Sequence, residues 1–165
     1  MGRVFRLVIW GAALLMGLGT FQALMVKAEE KQDMGGWEID SPYNRHYNIH
    51  EMDEFKGKVI KIMELEPMEG MSPAVAMIIR DSDGEEVLVH VGPRWFVNPK
   101  TMGIRANDPV KIRGAWAEIN DREIFMASKI KKRNTEIFYK IRLTKDGTPF
   151  WTMTPEQLAQ ETAKE

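Results

Sequence analysis

The strongest constraint on the fold is a series of five stretches in which apolar and polar residues alternate as they do in β-strands. In the third stretch, Val87, Val89 and Val91 share one face of the predicted strand. Short turn signals rich in Asp, Asn and Gly separate several of the stretches. We predict strands over residues 58–66, 74–80, 86–91, 110–119 and 123–130.

A helical signal interrupts this series between the third and fourth strands. Asn98 followed by Pro99 is typical of a helix start, and Gly103 is a typical stop. Gly57 and Gly114 lie inside strands, where glycine permits a sharp bend. Three strands, one helical turn and two strands is the order of the OB-fold, a five-stranded, partly open barrel. We therefore predict an all-β fold built around a small OB-fold-like barrel.

The predicted barrel covers residues 55–132 and is followed by an extension over residues 133–165. In this extension, residues 154–157 form a capping box with Pro at the first helical position, which predicts a short C-terminal helix. Residues 135–143 alternate as a sixth strand would, with one face formed by Ile137, Tyr139, Ile141 and Leu143.

The N-terminal segment, residues 1–28, contains an uncharged run from residue 7 to residue 26 that is long enough to cross a bilayer as a helix. Arg3 and Arg6 precede the run, which favours a cytoplasmic N-terminus and an exported C-terminal domain. A small-x-small triplet at residues 26–28 leaves a second interpretation open, namely a cleaved signal peptide. An uncut segment makes the chain a single-pass inner-membrane protein, and both interpretations export the remainder to the periplasm or to a membrane-derived lumen.

Residues 29–54 show neither a helical nor a strand period, and we interpret them as a linker. They nevertheless carry Trp37, Tyr43 and Tyr47, which a simple spacer does not require. Two interpretations stay open. The aromatic side chains pack on the chain's own domain, or they dock a partner protein.

Composition excludes several classes of function. Lys and Arg number 23 against 24 Asp and Glu, and the net charge of −1 excludes a generally basic nucleic-acid binder. The absence of Cys excludes disulfides, thiolate metal sites, iron–sulfur clusters and covalent haem attachment. The sequence also lacks the motifs of nucleophilic, nucleotide-binding and metalloprotease sites. We therefore expect a protein that is not an enzyme and binds no nucleic acid.

Two groups of residues are candidates for metal binding. His46 and His50 stand four residues apart, which places two imidazoles on one face wherever such a segment is helical. Met63, Met68 and Met71 cluster with glutamates, so their loop offers thioethers for copper and carboxylates for iron. The alternative is that the histidines lie on the surface and the methionines fill gaps in the core. We expect no resident cofactor, with iron, copper or haem as the alternative.

A basic stretch runs from the fifth predicted strand into the sixth. On an exported domain, such a face suits anionic lipid or an acidic protein, and a plain solvated face is the alternative. Phe138 is expected to accompany Lys140 and Arg142 on the outward face. The basic residues are Lys129, Lys131, Lys132, Arg133, Lys140, Arg142 and Lys145.

Residues 90–97, His-Val-Gly-Pro-Arg-Trp-Phe-Val, form the most distinctive string in the chain. The string resembles a signature of small exported bacterial OB-fold proteins with one N-terminal anchor, and among these it is most similar to the magnetosome-associated MamS-type proteins. The resemblance covers residues 57–130. The Gly-Pro pair is expected to end the third strand, and the two aromatic residues to plug the barrel mouth. The signature and structural residues are His90, Gly92, Pro93, Trp95, Phe96 and Gly114.

The resemblance implies a membrane-bound accessory factor in magnetite crystal growth, placed in the periplasm or the magnetosome lumen. It implies no catalytic residues, and it suggests contacts with membrane or periplasmic proteins. Two other functions stay open: an accessory subunit of a membrane redox complex, and a periplasmic metal or haem carrier that uses His46, His50, His90 and the 63–71 loop. The haem chaperones of cytochrome c maturation are similar in architecture, but residues 133–151 contain no histidine to match their haem ligand.

Overall fold

The computed structural model describes residues 33–163. These residues fall in one unit of the chain, Gln32–Glu165. The predicted membrane segment, residues 7–26, lies outside the described residues. Within the described part, no helix combines the length and the apolar character that a bilayer crossing requires.

The regular structure is mainly β, as predicted, and helices are few and short. All five predicted strands are present, and a short sixth strand follows them. The strands are β1 (Met52–Leu65), β2 (Ala74–Asp81), β3 (Glu86–Pro93), β4 (Pro109–Ile119), β5 (Arg122–Lys132) and β6 (Phe138–Lys140). The helices are α1 (Pro42–Arg45) and α2 (Pro155–Ala163), and 3₁₀ turns cover Ile49–Glu51 and Phe150–Thr152.

Antiparallel pairing gives the sheet order β3–β2–β1–β4–β5–β6. One parallel contact joins β3 to β5, with Val89 opposite Phe125 and His90 opposite Met126. Each of the first five strands therefore has a strand neighbour on both sides. Such pairing reduces the open strand edges that invite association with other chains.

β1 is a long strand that pairs with two neighbours in succession. Residues 52–58 pair with β4, and residues 57–65 pair with β2. Gly57 lies where the two pairings overlap, and a Cβ atom on it would stand 2.5 Å from Cγ2 of Ile79 and 2.6 Å from the carbonyl oxygen of Arg80. Close approach of the backbones therefore requires glycine at this position.

A second close approach lies in β4, at a bulge between Arg113 and Gly114 where the register with β5 shifts. Gly114 is buried. A Cβ atom on it would collide with the carbonyl oxygen of Met126 and with the Phe125 ring. Bulges bend the strand that carries them, and this one lets β4 follow β5 closely.

The core contains the inward faces that the alternation predicts. Val87, Val89 and Val91 in β3 are buried. His90 lies on the opposite face of β3 and is buried as well, because Tyr43 from an N-terminal segment covers that side. The outer face of β3 is therefore an interior surface in this part of the sheet.

The helical turn predicted over residues 99–102 is present as hydrogen-bonded turns rather than as a helix. The Asn98 carbonyl accepts a hydrogen bond from the Thr101 amide, and the Asn98 side chain accepts one from the Lys100 amide. Gly103 follows with a φ of 65°. The start and stop residues behave as predicted, but so short a stretch does not sustain a helix.

β6 is shorter than the strand predicted over residues 135–143, and its predicted single apolar face is wrong. The alternation ends because the amides of Ile141 and Arg142 both donate to the carbonyl oxygen of Ser128, at 2.8 and 3.1 Å. These two neighbouring residues are consequently both buried, whereas Ile137 is 76% exposed.

The capping box predicted for the C-terminal helix is confirmed. The Thr154 amide donates to the Gln157 side chain at 2.9 Å, and the Gln157 amide donates to the Thr154 hydroxyl at 3.3 Å. Pro155 is the first residue of α2. This helix buries none of its described residues, in keeping with its polar sequence.

We expect Gly114→Ala to lower the free energy of unfolding by about 3 kcal/mol, because the added methyl group forces β4 and β5 apart at the bulge. Gly70→Ala is the control. Nothing lies within 4 Å of a Cβ atom at Gly70, so only its φ of 81° opposes the change, at about 1 kcal/mol. Chemical denaturation monitored by tryptophan fluorescence measures both values, and equal losses would contradict the close approach at Gly114.

Candidate functional site

The aromatic segment interpreted from the sequence as a linker is folded onto the strands. Its short helix, α1, begins at Pro42, and the Ser41 hydroxyl accepts a hydrogen bond from the Asn44 amide at 3.3 Å. The Asn44 side-chain amide donates to the carbonyl oxygen of Trp37 at 3.2 Å. These bonds close residues 37–47 into a folded unit, which we call the aromatic strap.

The aromatic side chains of the strap are buried: Trp37 is 0%, Tyr43 2% and Tyr47 9% exposed. Nε1 of Trp37 donates to the Ser72 carbonyl at 3.0 Å, and the Trp37 carbonyl accepts from Nε1 of Trp151 at 2.9 Å. The Trp37 ring meets the edges of Tyr43 and Trp151 at centroid distances of 4.7 and 5.5 Å. All three side chains thus pack on the chain's own domain, and a partner would have to open this core to reach them.

Arg142 lies where the strap meets the C-terminal segment. The residue is only 2% exposed. Its guanidinium donates to Oδ1 of Asn44 at 2.8 Å and to the Gly147 carbonyl at 3.3 Å. Three ring centres lie at cation–π distances from its guanidinium carbon: Trp151 at 4.7 Å, Tyr47 at 5.3 Å and Tyr43 at 6.0 Å.

The prediction that Arg142 faces outward is wrong, because the two hydrogen bonds to the Ser128 carbonyl turn residue 142 inward. Burial lowers the pKa of Arg142 to about 10, so the guanidinium remains charged at neutral pH. The three rings and two oxygen acceptors offset the cost of removing this charge from water.

His90 contacts the strap from the outer face of β3. Its Nδ1 lies 3.2 Å from the Tyr43 hydroxyl, and the two rings stack at 6.0 Å with an interplanar angle of 18°. Burial lowers the pKa of His90 to about 4. Burial also raises the pKa of Tyr43 to about 12, against the opposing effect of the Arg142 charge. Both side chains are therefore uncharged at neutral pH.

A cavity of about 480 Å³ includes His90 in its lining, and we call it the His90 groove. It is bounded by the end of β1, the β1–β2 connection, β2, β3 and the β4–β5 hairpin. The hairpin is tied to the β1–β2 connection by Asn120, whose side-chain amide donates to the Pro67 carbonyl at 3.4 Å. The other lining residues are mainly apolar: Met63, Leu65, Ile78, Leu88, Ile119 and Ile124, with Glu66 and Arg122.

The signature string places Gly92 and Pro93 at the end of β3, as predicted. A Cβ atom on Gly92 would stand 2.9 Å from Val97 and 3.1 Å from Trp151, which explains the glycine. The expectation that Trp95 plugs the barrel mouth is wrong, since this side chain is 52% exposed. The amide of Val97 donates to the Pro93 carbonyl, and this turn buries Val97 while directing Trp95 outward.

Phe96, the other aromatic residue of the signature, is partly buried and packs against the core. Its ring centre lies 6.0 Å from that of Trp151 and 6.3 Å from that of Trp95. Phe96 therefore connects the exposed Trp95 ring with the buried Trp151 ring. The large interior ring beside the end of β3 is that of Trp151, which the sequence interpretation did not single out.

The candidate metal ligands lie in different surroundings. His46 ends α1 and His50 lies in the following 3₁₀ turn, so the two do not share a helix. Met63 lines the His90 groove, whereas Met68 and Met71 pack against the core. Among residues 33–163, no group of three or more His, Cys, Asp or Glu side chains is arranged to hold a metal ion.

Two lysines of the basic stretch, Lys129 and Lys131, lie over the ring of Phe138. Lys131 lies over the Phe138 ring at 5.0 Å and also reaches Glu136 at 3.6 Å. Lys132 pairs with Asp108 at 2.9 Å. Acidic neighbours thus offset part of the positive charge on this face.

Sequence reasoning missed Arg142 and Trp151 as parts of the site. Arg142 stands among several other lysines and arginines, so the local sequence does not distinguish it as the buried one. Trp151 follows a turn and a proline, outside any strand period. The one usable signal was the excess of aromatic residues in 29–54, since aromatic side chains require a surface on which to pack.

We expect Arg142→Met to lower the free energy of unfolding by about 3 kcal/mol, because it removes three cation–π contacts and leaves two oxygen acceptors unpaired. The exposed Lys145 supplies the control, with Lys145→Met expected to change stability by less than about 0.5 kcal/mol. Chemical denaturation measures both, and a small effect of Arg142→Met would show that the buried charge is dispensable.

The lowered pKa of His90 makes stability depend on pH in a defined direction. Below its ordinary pKa of 6.5, His90 takes up a proton in the unfolded chain, while the folded chain resists protonation down to about pH 4. The contribution of His90 to the free energy of unfolding is therefore fully present above pH 6.5. It falls by about 3 kcal/mol on acidification to pH 4.

His90→Gln removes this titration, so the variant should lose less stability than the natural chain between pH 6.5 and pH 4. Denaturant midpoints measured across that range give the comparison. His50→Gln, at an exposed position, is the control for the substitution itself. Parallel pH profiles for the natural chain and His90→Gln would contradict the buried, neutral state of His90.

Residues 51–137, just over half of the chain, match the model of the MamS/MamX magnetosome protein family. This range contains β1 to β5 in full together with the 90–97 string. Among curated proteins, none matches the chain. The resemblance found in the signature string is confirmed, and the chain belongs to the MamS/MamX magnetosome protein family.

Proposed function

We propose that this protein is a non-catalytic, membrane-anchored OB-fold module that faces the periplasm or the magnetosome lumen. It acts through contacts with other membrane or periplasmic proteins, as an accessory factor in magnetite biomineralisation. The observation that carries this proposal is the family match, which spans all of β1 to β5.

The pairing of the strands supports the OB-fold part of the proposal. β1 pairs with both β2 and β4, and a parallel contact joins β3 to β5, the first and last of the five strands β3–β2–β1–β4–β5. The turn at residues 98–103 lies between β3 and β4, where an OB-fold has its helix. Gly57 and Gly114 stand where a neighbouring strand leaves no room for a Cβ atom, as bends in a small barrel require.

The N-terminal sequence supports the location. Residues 7–26 have the length and composition of a membrane span, and Arg3 and Arg6 favour an exported C-terminal domain.

The protonation states of the buried side chains support a non-catalytic role. A general acid or base works best with a pKa near the pH at which it operates. The pKa of His90 is lowered to about 4 and that of Tyr43 is raised to about 12. Both groups are therefore neutral at neutral pH, which favours a structural or binding role for their contact.

Trp95 is the residue best suited to contact a partner protein. It is 52% exposed and projects from the turn after β3. Its neighbour Arg94 is also exposed, with its guanidinium paired to Glu64. Tryptophan and arginine are the residue types that most often dominate binding energy at protein interfaces.

We expect Trp95→Ala to reduce recovery of a partner protein about tenfold or more when the chain is extracted from its native membrane in mild detergent. The natural chain should retain its uncut mass and bring that partner with it. Ile137→Ala, at a residue that is 76% exposed, controls for the loss of any exposed apolar side chain. Intact-mass and co-purification measurements give both results.

Equal partner recovery by Trp95→Ala and the natural chain would remove Trp95 from the proposal. A lone chain beginning at residue 29, with stoichiometric metal, would overturn the anchored module in favour of a carrier. Recovery with electron-transfer proteins would instead favour the accessory subunit of a redox complex.

A further inference from the structure

The His90 groove has the size and lining of a small-molecule site. Its volume of about 480 Å³ lies within the range of roughly 300–1,000 Å³ that is usual for such sites. Its position is between the outer faces of β2 and β3, with the β1–β2 connection and the β4–β5 hairpin at its margins. Most of its lining side chains are aliphatic or thioether, so an occupant can bury apolar surface there, while Glu66, His90, Asn120 and Arg122 supply polar groups.

The hydrogen bond between Tyr43 and His90 determines which nitrogen of the imidazole carries the proton. The Tyr43 hydroxyl needs an acceptor for its proton, and Nδ1 of His90 lies 3.2 Å away. Arg142 is the other polar side chain that interacts with this hydroxyl, and its guanidinium has only hydrogen-bond donors and cannot accept the proton. The hydroxyl therefore donates to Nδ1, and the neutral imidazole holds its own proton on Nε2.

Nε2 is the ring nitrogen of His90 that the contact with Tyr43 leaves open. The only described hydrogen bond of the ring is the one at Nδ1. Within residues 33–163, the fully buried side-chain N and O atoms that lack a partner are Oγ of Ser72 and Oγ1 of Thr144, and Nε2 of His90 is not among them. Nε2 therefore keeps some exposure, and His90 is one of the residues that line the groove. The groove thus offers one neutral N–H donor in apolar surroundings.

The charged groups of the groove balance each other. Glu66 and Arg122 contribute one charge of each sign, and both are exposed to solvent. Asn120 is occupied in part by its bond to the Pro67 carbonyl. A lining with no net charge and one buried neutral donor favours a neutral ligand over an anion or a cation.

We propose that the His90 groove binds a neutral, largely apolar small molecule whose carbonyl oxygen accepts a hydrogen bond from Nε2 of His90. A ring ketone or a quinone has this chemistry. Metal coordination at Nε2 would move the proton to Nδ1 and leave the Tyr43 hydroxyl without its acceptor, so the same contact disfavours a metal ion. This inference goes beyond the proposed function and does not depend on it.

The first test is the tautomer of His90 in the full chain, labelled with ¹⁵N-histidine and held in detergent at neutral pH. Nitrogen chemical shifts separate the three histidines by comparison with His90→Gln. We expect a protonated Nε2 and an unprotonated Nδ1 at His90. A ring protonated on Nδ1, or Zn²⁺ that displaces the Nε2 proton at stoichiometric concentration, would overturn the proposal.

The second test compares two probes of similar shape, menadione (2-methyl-1,4-naphthoquinone) and 2-methylnaphthalene, which lacks the carbonyl groups. The chain contains no cysteine for menadione to alkylate. We expect menadione to shift the Nε2 signal of His90 and to bind about threefold to tenfold more tightly than the hydrocarbon. Equal binding of the two probes, or an unmoved Nε2 signal, would overturn the proposal.

Two variants separate binding in the groove from partition into detergent. Leu88→Arg places a long charged side chain in the lining of the groove and should abolish saturable menadione binding. Ile39→Arg, at a residue that is 57% exposed and lies outside the groove lining, should preserve it. Binding that survives Leu88→Arg would place the probe elsewhere. The comparison of the two probes on the natural chain decides the proposal even where a variant fails to fold.

Discussion

The buried guanidinium of Arg142 connects the two ends of the described domain. A charge removed from water is stable only when several groups solvate it together, and here those groups come from the strap and from the C-terminal segment. Asn44 and Tyr47 belong to the first, whereas Gly147 and Trp151 belong to the second. If either segment detached from the domain, the guanidinium would lose part of its hydrogen bonds and ring contacts while still removed from water. The two segments are therefore stabilised together.

This arrangement gives β3 a second covered face. In an isolated sheet, the side of β3 that carries His90 would face water. The strap brings Tyr43 over it, and the resulting burial keeps the imidazole neutral. The charge of Arg142 acts on the same tyrosine, so the strap, the C-terminal segment and the His90 groove form one continuous set of contacts.

Local patterns in the sequence predict the strands well and the burial of polar residues poorly. Val87, Val89 and Val91 alternate with residues on the other face, and this repeat is sufficient to identify β3. The first part of β1 was missed because Asp53 and Glu54 interrupt any apolar repeat. These residues become part of a strand because β4 pairs with them, and that pairing is set by contacts distant in sequence.

The same distinction explains the candidate site. His90 and Gly92 could be selected from the signature string, but their surroundings come from segments far along the chain. The turn that exposes Trp95 depends on a hydrogen bond between Pro93 and Val97, which residue type alone does not specify. The inward turn of Arg142 depends on the Ser128 carbonyl of another strand. Sequence therefore identifies the strands and the family more readily than it identifies which polar side chains lie inside.

The strap has a consequence for the order in which the chain matures. Asn44 meets Arg142 across 98 residues, and Trp37 meets Trp151 across 114. Synthesis at roughly 5–20 residues per second delivers these partners about 5–20 seconds after the strap has been made. During that interval Trp37, Tyr43 and Tyr47 lack the C-terminal residues against which they are buried in the folded domain. The aromatic residues made first in this domain are thus among the last to be buried.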